Sequence, residues 1–236
     1  MNVKSAIIKR ELGAYFTGAV AYIVIGLFLL ISGFLFFNVF FLANRAELRQ
    51  FFSILPVLYA FFIPAVTMRL FAEERKSGSL ETLMTLPVDA LDVVIGKFAA
   101  ALIFTAIMTV PTLAYAITAA SFGSLEAGPL VCGYIGALFL AAAFCAAGLF
   151  ASASSANQIV AFFIAFALCV LLAMIDQFLL FLPASLVSVL QYISAGAHFT
   201  SISRGIIDSR DLIYFVTLTA LFLTLTVKTV DSRRAA

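Results

Sequence analysis

Tryptophan is absent from this 236-residue chain, histidine occurs once, cysteine three times, and only 11% of the residues are charged. The lone histidine, His198, leaves no set of imidazoles for zinc and no base for a serine nucleophile. A membrane peptidase therefore cannot be assembled, even though Glu73 and Glu74 stand side by side. Cys132, Cys145 and Cys169 fall inside apolar stretches at no zinc or redox spacing and read as small buried residues. The phosphate-cradling pattern G-x-x-x-x-G-K-[ST] is also missing. Its nearest approach, Gly96-Lys97, is preceded by Leu91 and followed by Phe98, so the chain has no such device for ATP. A net charge of +2, with the basic residues spread between apolar runs, excludes a nucleic-acid-binding patch. The first apolar run continues for about 25 residues, too long for the core of a cleaved signal, and is expected to stay as a helix.

What the chain has is grease: 64% of residues are hydrophobic and 26 are Phe. Such a composition describes an integral membrane protein, and at about 20 residues per crossing roughly six helices use up the length. Spans are predicted at about Tyr15–Phe41, Phe51–Leu70, Leu91–Ala119, Pro129–Ala151, Asn157–Leu182 and Leu212–Val227. Residues 1–13 mix Ile7, Ile8 and Leu12 with Lys4, Lys9 and Arg10, as suits a short helix on the membrane surface. Six spans put both termini on one side. Lys4, Lys9, Arg10, Arg69, Arg75, Lys76, Lys97, Lys228, Arg233 and Arg234 flank that side, against Arg45, Arg49, Arg204 and Arg210 on the other, so the termini are expected in the cytoplasm.

Within the fourth span, Ala143, Ala147 and Ala151 recur every four residues beside Gly136 and Gly148, which admits a neighbouring backbone and predicts a place inside the bundle. Pro56, Pro64 and Pro111 each remove a backbone donor within a span and predict kinks. Asp176 is the one acidic residue well inside a span, a possible intramembrane polar site, although its position favours the outer interface. Lys97 and Arg69 are expected to extend their head groups to the cytoplasmic interface. After the fifth span, Leu186, Val189, Leu190 and Ile193 form a stripe that predicts an interfacial or re-entrant helix within an outer loop, residues 183–211.

The densest charge lies between the second and third spans, in the loop 72–90. Gly78 can cap a helix there whose third position is Glu81, a carboxylate suited to the positive helix end. Leu80, Leu83 and Met84 share one edge, and Pro87 ends the rod. Asp89 and Asp92 can then cap the third span.

Glu73, Glu74, Arg75, Gly78, Ser79, Leu80, Glu81, Leu83 and Pro87 resemble the coupling-helix signature of ABC-2 type permeases. Ser79 stands where many relatives place Thr, which keeps the hydroxyl. More narrowly, residues 63–69 (IPAVTMR), 157–162 (NQIVAF) and 201–211 (SISRGIIDSRD) resemble the gliding-motility-associated branch. The resemblance implies an all-α, six-helix ABC-2 (type V exporter-like) transmembrane domain spanning 1–236 in a bacterial inner membrane. It further implies a coupling set of Glu73, Glu74, Arg75, Gly78, Leu80, Glu81, Leu83 and Met84 that meets a separate ABC ATPase subunit. That subunit binds the ATP, so no cofactor is expected on this chain. A second, identical protomer and an auxiliary envelope subunit are the other implied partners. Two alternatives remain open at this point: force transmission to an envelope complex without a solute, and a secondary carrier. Against the carrier, apart from Asp176 and scattered Ser and Thr, the spans lack midplane polar groups.

Overall fold

The computed structural model of the chain describes residues 3–43, 47–78, 89–123, 126–177 and 190–234, and these residues form helices with no strand among them. Six stretches are long and apolar enough to cross a bilayer: Ala19–Phe40, Arg49–Lys76, Ala90–Phe122, Ala127–Ser154, Gln158–Gln177 and Ser209–Ser232. The expected all-α membrane domain is thus observed, with each span within a few residues of its predicted place except at the ends. The helices are α1 (Val3–Thr17), α2 (Ala19–Ala43), α3 (Arg49–Thr67), α4 (Arg69–Lys76), α5 (Ala90–Thr109), α6 (Leu113–Phe122), α7 (Ala127–Ser154), α8 (Gln158–Met174), α9 (Ala195–Ser203) and α10 (Ser209–Arg234).

Two spans are broken, the second at Met68 and the third at Pro111. In the second, Pro56 and Pro64 lie inside α3, and Thr67 turns its hydroxyl back to the Ile63 carbonyl at 2.9 Å, a bond that bends helices. The helix pauses at Met68 and resumes as α4. In the third, Pro111 falls in a 3₁₀ turn, Val110–Thr112, between α5 and α6, because its ring cannot donate to the preceding turn.

The break at Met68 is closed by the fourth span. Ser152 Oγ donates to the Met68 carbonyl at 2.7 Å and accepts from the amides of Phe71 at 3.0 Å and Ala72 at 3.1 Å. One donor and two lone pairs are all a serine hydroxyl has, and here each is used.

The small-residue pattern of the fourth span has the predicted outcome. Helix α7 runs through the middle of the bundle against α3, α4, α5, α8, α9 and α10, with Ala143, Ala146, Ala147 and Ala151 fully buried. A Cβ added at Gly148 would meet Thr67 Oγ1 at 2.1 Å, and one at Gly133 would meet the Phe52 ring at 2.4 Å. Close approach is thus the reason for glycine at both.

At the end of the bundle near the start of α10, the segment His198–Asp211, read as polar from its sequence, contains a packed helix. Phe199 and Ile202 of α9 are fully buried, Ser194 caps it by accepting from the Ala197 amide at 3.1 Å, and Gly205 at φ +92° turns the chain into α10. Leu186 and Val189 of the predicted stripe lie outside the described residues.

Gly148→Val is expected to lower stability by about 1–3 kcal/mol through overpacking against Thr67. Thermal unfolding in detergent measures this, with Gly26→Ala, which meets nothing within 4 Å, as the neutral control.

Candidate functional site

The charged segment between the second and third spans begins as helix. Glu73, Glu74 and Arg75 lie on α4, which continues the second span to Lys76. The Ser77 amide donates to the Glu73 carbonyl at 3.0 Å, the Gly78 amide to Arg75 at 3.3 Å, and Gly78 takes φ +72°. Left-handed glycine just past the last turn is a helix stop, so Gly78 closes α4. Leu80, Glu81, Leu83 and Met84 lie outside the described residues. On the far side, Asp89 precedes α5 at the capping position with no side-chain cap bond. Asp92, in the first turn of α5, pairs with Lys4 of α1 at 3.1 Å.

Between these two stems the structure corrects the expectation for Lys97. The side chain does not reach for water: it is fully buried. Its ammonium group donates to Glu11 Oε1 at 2.9 Å, to Glu74 Oε1 at 2.9 Å and to the Leu70 carbonyl at 2.8 Å. An ammonium has three protons, and each has a taker. The Phe71 ring lies 5.2 Å from the nitrogen, an additional attraction to the cation. Arg10 binds the same two carboxylate oxygens from the outer side, at 2.7 Å to Glu11 and 2.5 Å to Glu74. One cluster therefore joins α1, α4 and α5.

The second expected interfacial cation, Arg69, is also engaged. Its guanidinium lies 4.4 Å from the centre of the Tyr15 ring, and Tyr15 donates its hydroxyl proton to the Val66 carbonyl at 3.0 Å. Arg75 reaches the Ser154 carbonyl at the end of α7 at 3.3 Å. Arg10, Glu11, Arg69, Glu73 and Glu74 line a cavity of about 420 Å³ beside the cluster, and Glu73 is exposed. Burial acts to raise the Glu11 carboxyl, but Lys97 and Arg10 outweigh it and hold it below its ordinary value. For Arg10, burial acts to lower the guanidinium and the two carboxylates more than reverse it.

Asp176 is remote from this junction. It sits in the last turn of the fifth span, partly exposed, where Ser194 Oγ donates to Oδ1 at 3.2 Å and Gln177 Nε2 to Oδ2 at 3.3 Å. The geometry is that of a tie between the fifth span and α9. Among the described residues no three His, Cys, Asp or Glu side chains converge to hold a metal.

Arg10, Glu11 and Ser152 did not stand out in the sequence. Lys97 had a signal: a charge about two turns inside an apolar run needs a partner or a route to water. The other two quoted segments prove to be joints. Asn157 caps α8 by accepting from the Ile159 amide at 2.9 Å, and residues 201–211 carry the Gly205 turn.

Compared with known families, residues 21–229 match the family described as "ABC-2 family transporter protein". No curated protein matches the chain.

Lys97→Met leaves the Glu11 and Glu74 carboxylates to Arg10 alone, and a loss of about 1–3 kcal/mol is expected; adding Glu11→Gln and Glu74→Gln restores much of it, as thermal unfolding in detergent would read. The Glu11 tie also has a pH signature. A carboxyl lowered on folding stabilises fully above its ordinary value of 4.5 and loses that contribution as the pH falls towards the folded value. Protection of the α1 amides, taken as exchange relative to the intrinsic rate at each pH, should fall on acidification through that window, and Glu11→Gln should reduce the fall.

Proposed function

The chain belongs to the ABC-2 transporter family, and from that membership we propose that this multi-pass membrane permease component takes its drive through the segment 79–88 from a separate ABC ATPase. The observation that carries the reading is the Lys97 cluster. It binds α4 to α5, the two stems on either side of that segment, and both to α1. A force applied to the segment reaches the second and third spans together rather than flexing one of them. In this reading Leu80, Glu81, Leu83 and Met84 are the residues that meet the ATPase, with Glu73, Glu74 and Arg75 on the adjoining α4.

In this reading the junction, both termini and α1 face the cytoplasm of a bacterial cell, the membrane is the inner one, and the permease works as a homodimer in export. ATP is bound and hydrolysed by the partner, consistent with the missing phosphate loop. The gliding-motility-associated branch rests on the resemblance of residues 63–69, 157–162 and 201–211 alone. Within that branch the cycle would do mechanical work on an envelope complex, with or without a solute.

Leu83→Asp puts a charge where an apolar contact is proposed. The variant is expected to insert in the membrane normally and to lose co-purification of the ATPase from gentle detergent. Undiminished association, or labelling that puts Glu81 outside the cell, would overturn the reading.

A further inference from the structure

At the opposite end of the bundle, the only histidine of the chain lies between two groups that can only accept. His198 Nδ1 is 2.6 Å from Asp211 Oδ1, and Nε2 is 3.0 Å from the Tyr192 carbonyl oxygen. A neutral imidazole has one N–H, so with a carboxylate on one side and a carbonyl on the other it satisfies one and aims a lone pair at the other; the imidazolium satisfies both. Asp211 is 6% exposed, and its second oxygen has no hydrogen-bond partner among the described residues. This places an unshared carboxylate charge beside the ring. Tyr214 stacks on the imidazole with ring centres 4.1 Å apart and planes at 22°, an arrangement that favours a cation over the ring face. Tyr214 also donates its hydroxyl to the Ile193 carbonyl.

We propose that His198 and Asp211 form a proton-operated latch fastening residues 190–203 to the start of the sixth span. The latch is closed when the imidazole carries both ring protons. When one is lost, the charge-assisted bond to Asp211 keeps the remaining proton at Nδ1, because bonds to ionised acceptors are the stronger ones. Nε2 then presents a lone pair to the Tyr192 carbonyl, and the Tyr192 turn comes away from the sixth span.

The groups that set the balance can be named. From α10 the ring meets Asp211 and Tyr214, and from the preceding turn Tyr192, in a T-shaped pair with ring centres 5.7 Å apart. From the end of the fifth span, beyond α8, comes Asp176, with its oxygens already bonded to Ser194 and Gln177. The contacts of α9 with α3 and α7 are apolar: Phe52 meets Phe199 edge to face, and Ile202 lies against Gly136. Arg204, Asp208 and Arg210 face outward, exposed. The latch stands apart from the junction at Lys97 and does not depend on the transport reading.

A chain with one histidine gives one imidazole signal. The test is ¹⁵N NMR of the full chain, labelled at histidine, between about pH 5 and 8, where imidazoles exchange protons, with amide exchange of residues 190–198 followed over the same range. Two protonated ring nitrogens at the acid end are expected. Loss of the Nε2 proton should coincide with a fall of about tenfold in protection at Ser194 and His198, taken as exchange relative to the intrinsic rate of each amide at each pH, the scale of one net hydrogen bond. Asp211→Asn removes the ionised acceptor and should leave protection at Ser194 and His198 reduced at both ends of the range. A ring with a single proton throughout, a proton resident on Asp211 instead, or a ring that titrates without any change in protection would each overturn the latch. The unsubstituted chain alone decides these, so the outcome stands even if the Asn variant does not fold.

Discussion

Everything at one end of this bundle depends on a buried ammonium group. Lys97 is enclosed by Glu11, Glu74 and the Leu70 carbonyl, so three segments distant in sequence must be present together for its charge to be tolerated. Burying an ion is costly, and the cost is offset only when geometry and hydrogen bonds are complete. That requirement makes the cluster a device for register more than for stability. Helix α1, which has modest apolar content of its own, is positioned where Glu11 and Arg10 demand, with Ile7 packed against Gly96.

The rest of the bundle is organised by closeness rather than charge. In a membrane there is no hydrophobic drive between helices, and packing, small residues and internal hydrogen bonds take over. Helix α7 supplies all three: alanines along its buried face, glycines opposite Thr67 and Phe52, and the Ser152 hydroxyl. Tyrosines in neighbouring spans follow the same logic, with Tyr59 and Thr109 sharing a hydroxyl contact at 2.6 Å and Tyr115 donating to the Leu29 carbonyl at 2.9 Å.

The spans were legible in the sequence because bilayer thickness imposes a length that composition alone reveals, and the alanine-glycine spacing placed α7 correctly for the same kind of reason. The site was legible only in part. The adjacency of Glu73, Glu74 and Arg75 drew attention to the stretch that holds Glu74, but nothing local connects it to Glu11 or Lys97, which lie far away in the chain; tertiary proximity made that cluster. Lys97 was misread because a long side chain near a span end often reaches water, and here α1 covers the route. Helix α9 was missed because its sequence, with His198, Thr200, Ser201 and Ser203, has the polarity of a loop. Its two large apolar residues, Phe199 and Ile202, are three apart and suffice to seat it. Gly78, read as the start of one helix, serves as the end of another, since a positive φ suits a stop.

The suture at Ser152 changes how the broken second span can behave. A break in a helix is ordinarily where it swivels, yet this one has its loose amides and carbonyl taken by a neighbour's hydroxyl, with no bonding capacity left over. The short arm beyond Met68 is thereby made an outrigger of the fourth span, and the two should travel as one piece. Compliance must then come from elsewhere, and the third span has its own break, the 3₁₀ turn at Pro111, where a single hydroxyl, that of Thr112, reaches the fourth span at Tyr134.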